Sequence, residues 1–202
     1  MAVATVALSL VPGRAESSHK SELTTQWHYG EPLLILENLG EWALVESQVD
    51  EYPAWIRTNQ MLFSSDEFPD NDWQGKSVVQ QAFLSFPKPA EGHPRWLSFG
   101  AWLSEDKKEY LPKPWSELAR EWLGAPYLWG GKSPMGVDCS GLTQLLWRTR
   151  GVQLKRDASQ QAQQGSVVQW WLDAKEGDLA FFGDEEGHIN HVGLLLSPTE
   201  IL

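Results

Sequence analysis

The stretch Tyr127-Leu-Trp-Gly-Gly-Lys-Ser-Pro-Met-Gly-Val-Asp138-Cys139-Ser140-Gly141 contains the only cysteine of this 202-residue chain. Apolar residues at helical spacing follow Gly141, and Gly151 is a typical C-terminal residue, so a helix is predicted to begin at Cys139. Asp138 is a residue type that favours the N-cap position. A thiol in the first turn lies at the positive end of the helix dipole, which lowers its pKa from about 8.5. The sequence therefore predicts a nucleophilic thiolate at Cys139.

A histidine that could act as its base lies much further along the chain. The runs Gly177–Phe182 and Ile189–Leu196 are typical of buried strands, and His191 stands near the start of the second. Cysteine hydrolases use an imidazole to accept the thiol proton and later to protonate the leaving amine. Cysteine and histidine are also common as buried structural side chains. On this evidence alone, Cys139 and His191 are either a catalytic pair or two core residues.

Five sequence blocks, in this order, narrow the choice. They are Gly124-Ala-Pro-Tyr127-Leu-Trp-Gly-Gly, Asp138-Cys139-Ser140-Gly141, Arg156-Asp157-Ala-Ser159-Gln160-Gln161, Gly177-Asp178-Leu-Ala-Phe-Phe and His191-Val-Gly. Together they resemble the NlpC-type bacterial cell-wall cysteine peptidases. The resemblance implies an α+β, papain-like domain that cleaves peptidoglycan stem peptides, with Cys139 as nucleophile and His191 as base. It also implies that the Tyr127 hydroxyl helps to bind the developing oxyanion, as preorganised donors do.

Three further residues have two interpretations. For members that act on stem peptides with a free N-terminal L-alanine, the resemblance implies that Asp138, Ser140 and Ser159 bind the amine and the γ-D-glutamyl carboxylate region. A carboxylate facing the sulfur would raise the thiol pKa, so Asp138 is expected to point elsewhere, as a helix cap or toward a cation. Ser140 is equally suited to a helix start, and Ser159 lies in a capping-box-like pattern of its own.

The chain ahead of the peptidase has a different pattern. Residues 1–62 form short alternating apolar and polar runs separated by turn formers, which is typical of a small all-β barrel. The runs that predict strands are Val3–Leu8, Glu31–Leu36, Glu41–Val45 and Ala54–Arg57. Their segments Ser21–Gln26, Tyr29–Glu31, Gly40–Trp42 and Tyr52–Ile56 resemble a bacterial Src-homology-3 (SH3-like) domain.

Residues 63–112 are predicted to hold a linker and a second, divergent SH3-like barrel. The linker is the acidic segment Ser64–Asp72, and the strands of the second barrel are expected near Val78–Phe83 and Trp96–Phe99. Residues 113–202 are assigned to the peptidase domain, whose first helix is predicted over Trp115–Leu123.

Family members with two such barrels use the first to close one side of the cleft. Loop residues of that barrel then touch the N-terminal alanine of a short, free stem peptide. The resemblance implies that Tyr52 fills the aromatic role, with Glu16 as the acidic partner of the ammonium. Two solvated loop residues are the alternative.

Composition excludes several other function classes. The net charge of −11 argues against nucleic acid as a partner, because phosphate binding depends on basic patches. No apolar run suggests a membrane span, no metal-ligand set is visible, and no cofactor is expected. The segment Met1–Leu10 lacks a basic n-region, so a cytoplasmic protein is expected, with a periplasmic or secreted one as the alternative. Oligomeric state is not indicated.

The resemblance implies a third polar residue on a strand after His191, which would orient the base. The sequence ends at Leu202, where that residue is due, so a C-terminally truncated peptidase domain is expected. In the analogous serine triad, loss of the orienting group costs roughly four orders of magnitude in turnover. Three hypotheses follow: an endopeptidase cleaving the γ-D-glutamyl to diamino acid bond in wall-peptide recycling, a papain-like amidase or acyltransferase, and an impaired wall-peptide binding protein.

Overall fold

The structure is a computed structural model that describes residues 2–64, 77–78, 83–86, 95–103 and 113–202. Seven strands form one antiparallel sheet in the order β3-β2-β6-β5-β4-β1-β7. They are β1 Val3–Val6, β2 Leu10–Arg14, β3 Leu23–His28, β4 Pro32–Leu39, β5 Trp42–Ser47, β6 Pro53–Arg57 and β7 Met61–Ser64. Burial alternates along β2 and β5, as expected for strands with one face on a core. Ten buried apolar residues, including Trp27 and Ile56, form that core, and the predicted SH3-like barrel is confirmed.

Strand β2 is not among the predicted runs, and it contains Pro12 and Gly13, two residue types that disfavour a regular strand. The structure shows why glycine is needed there. A Cβ on Gly13 would lie 2.6 Å from the Thr25 side chain and 3.0 Å from the Trp27 ring. Gly13 therefore lets the largest side chain of the barrel core pack against β2.

Two short antiparallel pairs follow the barrel in the described part of residues 63–112. β8 Ser77–Val78 pairs with β11 Trp102–Leu103, and β9 Phe83–Phe86 pairs with β10 Arg95–Ser98. Most of the predicted linker Ser64–Asp72 and the interior of Val78–Phe83 lie outside the described residues. The second barrel, and with it the boundaries 1–62, 63–112 and 113–202, stays a prediction.

The C-terminal part combines helices with a three-stranded antiparallel sheet. Its elements are α1 Trp115–Arg120, β12 Lys132–Ser133, β13 Gly136–Val137, α2 Cys139–Arg148, α3 Ala158–Gln161, β14 Leu179–Gly183, β15 Ile189–Ser197 and β16 Glu200–Ile201. The sheet order is β14-β15-β16. Leu194 of β15 packs with Leu145 and Leu146 of α2 in a shared core, which sets the helix carrying Cys139 against the strand carrying His191. The expected α+β architecture is confirmed.

One buried segment connects the two parts. Leu97, Phe99, Ala101 and Trp102 are all almost fully buried. Phe99 belongs to the core of the C-terminal part, where its ring lies edge-on to Trp122 at 5.1 Å between centroids. The Trp102 N–H donates to the Tyr29 carbonyl of the barrel at 3.0 Å. Barrel and C-terminal part are therefore packed together around this segment.

Candidate active site

Cys139 is the first residue of α2, and Asp138 is its N-cap. The Asp138 Oδ1 atom accepts a hydrogen bond from the Gly141 N–H at 2.7 Å, and Oδ2 accepts one from the Gly130 N–H at 2.8 Å. Asp138 thus acts as a helix cap, one of the two roles predicted for it, and it also fixes the loop before the helix. The thiol remains half-buried at the positive end of the helix.

A buried arginine neutralises the capping carboxylate. Arg156 Nη1 lies 3.1 Å from Asp138 Oδ1 and Nη2 lies 2.5 Å from Oδ2, while Nη1 also donates to Ser140 Oγ at 2.8 Å. Burial alone would lower the pKa of Arg156, but the Asp138 carboxylate outweighs it and raises that pKa. The negative charge beside Cys139 is therefore paired with a guanidinium, which reduces its effect on the thiolate. Sequence reasoning gave Arg156 no role, although it opens one of the five blocks.

A cleft of about 430 Å³ opens over Cys139. It is lined by Glu22, Thr24, Tyr52, Tyr127, Trp129, Asp138, Cys139, Ser140, Arg156, Asp157, Ala158, Ser159, Ile189 and Asn190. Six of the eight residues predicted for the site are among them, and the two that are not are Glu16 and His191. The barrel contributes one wall, through Glu22, Thr24 and Tyr52.

Glu16 is not among the residues that line this cleft, whereas Glu22 is. Glu16 is exposed in the turn between β2 and β3, where its N–H donates to Ser21 Oγ at 2.9 Å. Glu22 immediately precedes β3, and its Oε1 accepts a hydrogen bond from Trp129 Nε1 at 2.6 Å. The alternation of a strand, which places Glu22 and Thr24 on one face, was the signal that could have identified it.

His191 stands on β15 with an exposed side chain. Its ring lies 5.9 Å from that of Phe182 on the paired strand β14. Its neighbours Ile189 and Asn190 line the cleft. Within the described residues, no hydrogen bond joins His191 to Cys139 or to an orienting polar group, and catalytic hydrogen bonds are commonly long in free enzymes.

Tyr127 presents a neutral hydroxyl next to the thiol. Burial raises the pKa of Tyr127, and the neighbouring Cys139 and Asp138 raise it further. The residue is held in place by a bridge to Val137, the residue before the N-cap of α2. Since its proton is retained at neutral pH, the hydroxyl can donate to an oxyanion that forms beside Cys139.

Tyr52 and Asp157 form an acidic part of the cleft lining. Burial raises the pKa of Tyr52, and the charge of Asp157 raises it further. Burial also raises the pKa of Asp157, against the opposing effect of Arg156. Ser159 follows in helix α3, and the N–H of its N-cap Asp157 donates to Gln160 Oε1 at 3.2 Å. A cation bound here would relieve the electrostatic cost of these groups. No cluster of three or more potential metal ligands occurs among the residues that the structure describes.

Comparisons with known proteins match both parts of the chain. Residues 124–202 match the NlpC/P60 family, and residues 13–61 match the bacterial dipeptidyl-peptidase Sh3 domain. The chain thus carries an NlpC/P60 domain behind a bacterial SH3 domain. Its catalytic part, the NlpC/P60 domain, is a cysteine peptidase, which confirms the reaction class expected from the sequence.

Several relatives share both parts of the chain. The γ-D-glutamyl-L-lysine dipeptidyl-peptidase of Bacillus subtilis is 28% identical over 212 residues, which span 89% of this chain and 71% of the relative. Dipeptidyl-peptidase 6 of Lysinibacillus sphaericus is 28% identical over 92% of this chain and 81% of its own. The crystal structure of an NlpC/P60 family protein from Bacillus cereus has a TM-score of 0.78 at 18% identity, covering 96% of this chain and 88% of that one, so the two share a fold.

Proposed function

We propose that this NlpC/P60 protein hydrolyses the γ-D-glutamyl to diamino acid bond of peptidoglycan stem peptides such as L-Ala-γ-D-Glu-diaminopimelate. The observation that carries the proposal is the barrel wall of the cleft. Glu22, Thr24 and Tyr52 of the barrel line the same cleft of about 430 Å³ as Cys139. A space of this size suits a short, free peptide rather than a cross-linked strand. The name of the B. subtilis relative, a γ-D-glutamyl-L-lysine dipeptidyl-peptidase, supports the same bond.

The charge of the cleft favours a substrate with a free amine. Glu22, Asp138 and Asp157 line it, and Arg156 is the only cation among its described lining residues. Because Arg156 is already paired with Asp138, Glu22 and Asp157 remain without a cationic partner in the cleft. An N-terminal ammonium placed between them and Tyr52 would gain two charge-assisted hydrogen bonds. This is where we place the L-alanine, with Ser140 and Ser159 toward the glutamyl group.

The reaction then proceeds in two halves. His191 takes the proton of Cys139, and the thiolate attacks the γ-carbonyl carbon of the D-glutamyl residue. The Tyr127 hydroxyl donates to the oxygen that becomes negative. The intermediate collapses to a thioester, and the C–N bond breaks as His191 protonates the amine of the departing diamino acid. Water, deprotonated by His191, hydrolyses the thioester and releases L-Ala-D-Glu with the thiol restored.

The role we propose is the recycling of wall peptides in the cytoplasm. Its support is the restriction of the cleft to short, free peptides, which are products of wall turnover. In the described part of the chain, no helix is both long and apolar enough to cross a membrane.

The test is turnover of synthetic L-Ala-γ-D-Glu-diaminopimelate followed by mass spectrometry, with the Cys139→Ala variant as the control. The matching L-lysine peptide and the N-acetylated peptide are run beside it. We expect release of the diamino acid by the wild type alone, and much slower cleavage of the N-acetylated peptide. Equal cleavage of acetylated and free peptides would contradict the amine site, and absence of any Cys139-dependent cleavage would rule out the proposed bond.

A further inference from the structure

Strand β3 of the barrel forms part of two different contacts. Glu22, just before the strand, and Thr24 line the cleft. Further along the strand, Gln26 and His28 contact the backbone of Lys132 in the NlpC/P60 domain. These four residues are every second residue from position 22 to position 28, as expected for one face of a strand. One face of β3 therefore borders the substrate site at one end and holds the catalytic domain at the other.

The contact with Lys132 uses both of its backbone polar groups. The Lys132 N–H donates to Gln26 Oε1 at 2.7 Å, and the Lys132 carbonyl lies 2.7 Å from His28 Nε2. Since a carbonyl only accepts, Nε2 carries a proton, and in the neutral ring Nδ1 is then an acceptor. That assignment fits Arg148 Nη1, a donor, at 3.4 Å from Nδ1. Burial lowers the pKa of His28 to about 4, so its ring is neutral at pH 7 and has one defined tautomer.

The two residues before Lys132 connect its contact with β3 to Asp138, which precedes the nucleophile Cys139. Gly131 and Gly130 precede Lys132, and the Gly131 carbonyl accepts a hydrogen bond from the Asp138 N–H at 3.1 Å. The Gly130 N–H donates to the Asp138 carboxylate. Gly130 is itself pressed against the barrel, because a Cβ there would lie 2.4 Å from the Leu23 carbonyl oxygen. Any shift of Lys132 away from β3 would move these two of the groups that hold Asp138, the N-cap of α2.

Buried charges of both signs lie in this contact. Glu31 and Asp50 of the barrel face Lys132 and Arg148 of the NlpC/P60 domain, and all four side chains are almost completely buried. Lys132 Nζ lies 3.6 Å from Asp50 Oδ2, and Arg148 Nη1 lies 3.5 Å from Glu31 Oε2. Two negative and two positive groups balance, which is the condition under which buried charges are tolerated.

We propose that His28 and Gln26 are positioning residues for catalysis: they fix the Gly130–Lys132 loop, which holds Asp138 and so sets the thiol at the start of α2. The barrel is then part of the catalytic machinery and not only a wall of the cleft. The proposal rests on the role of Cys139 as nucleophile.

The test compares two substitutions of one residue. In His28→Gln the amide nitrogen can replace Nε2 and keep the bond to the Lys132 carbonyl, whereas in His28→Asn the shorter amide cannot reach it. Because Cys139 is the only thiol, its alkylation by iodoacetamide across pH reports its pKa without any substrate. We expect His28→Asn to shift that profile and to lower kcat about tenfold or more with little change in KM. His28→Gln should stay within about threefold of the wild type.

Equal alkylation profiles and equal kcat for folded His28→Asn and wild type would overturn the proposal. If His28→Asn does not fold, Gln26→Met replaces it in the test, because this substitution removes only the acceptor for the Lys132 N–H. A shifted alkylation profile with a lower kcat would support the proposal, and values equal to those of the wild type would overturn it. A shifted alkylation profile without any turnover by the wild type would sink the proposed substrate and leave the positioning role standing.

Discussion

The Arg156 guanidinium binds the Asp138 carboxylate through two nitrogens, at 3.1 and 2.5 Å, next to the residue that begins the catalytic helix. A third nitrogen, Nε, donates to Thr25 Oγ1 of the barrel at 3.2 Å. Arg156 therefore connects the helix cap, Ser140 and the barrel. Both partners of the ion pair are buried, so each depends on the other for the compensation of its charge.

Replacing Arg156 by lysine should destabilise the protein while conserving its charge. A single ammonium cannot reproduce the two parallel bonds to Asp138 and the bond to Thr25. We expect the free energy of unfolding to fall by about 2–4 kcal/mol in urea denaturation. Arg120→Lys is the matched control, because Arg120 is exposed on α1. An equal decrease in the free energy of unfolding in the two variants would show that the two parallel bonds to Asp138 do not contribute to stability.

Removal of the base should act on kcat. His191→Ala is expected to lower kcat by about 10²–10⁴-fold, since general base catalysis supplies a factor of that size. The exposed position of His191 predicts little change in thermal stability, which calorimetry would check. A variant with unchanged kcat at saturating substrate would assign the proton transfer to another group.

Glu22 and Glu16 give a direct comparison of two acidic residues on the barrel. Glu22→Gln keeps an acceptor for Trp129 Nε1 but removes the charge, so KM for a peptide with a free amine should rise about fivefold. Glu16→Gln should leave KM unchanged, because Glu16 lies outside the cleft. Steady-state kinetics with free and N-acetylated peptides checks both. A larger effect of Glu16→Gln would contradict the acidic site described here.

Stability should fall on acidification through the titration of His28. Burial lowers the pKa of His28 to about 4, with Glu31 opposing the shift and Arg148 and Lys132 adding to it. Because this pKa lies below the unfolded value of about 6.5, the unfolded chain binds the proton first as the pH falls. The stabilisation by neutral His28 is complete above about pH 6.5 and is lost progressively down to about pH 4, by up to about 3 kcal/mol.

Urea denaturation at a series of pH values measures this loss, with His28→Gln as the control that cannot titrate. Glu31 adds a second loss of stability at a pH below the ordinary pKa of a glutamate. Lys132 and Arg148 hold the pKa of Glu31 well below the usual range despite burial, so the unfolded chain binds this proton first. Identical slopes for wild type and His28→Gln between pH 4 and 6.5 would exclude His28 as the source.

The local features of the active site followed from the sequence because they depend on neighbouring residues. The N-cap Asp138, the helix from Cys139 and the capping pattern at Asp157 all involve partners within one turn. The pairing of Arg156 with Asp138 could not be predicted, because spacing along the chain does not specify which buried charges meet. The same holds for His28 and Lys132, which are distant in sequence and meet only when the barrel docks.

The strands show the same dependence on contacts between residues that are distant in the sequence. Strands β4, β5 and β6 were predicted from alternation, whereas β2 contains Pro12 and Gly13, which locally disfavour a strand. Packing of the Trp27 ring against Gly13 overrides that local preference. Glu16 rather than Glu22 was assigned to the cleft because the alternation along β3, which places Glu22 and Thr24 on one face, was not used as a signal.

The four buried charges between barrel and peptidase bear on how such proteins diverge. Loss of Glu31, Asp50, Lys132 or Arg148 alone would leave an opposite charge buried without compensation, at a cost of about 3–5 kcal/mol. Accepted substitutions at these positions are therefore expected to occur in pairs that cross the domain boundary. A chimaera that joins this peptidase to a foreign barrel should function only if the new barrel brings matching residues on β3 and at the positions of Glu31 and Asp50.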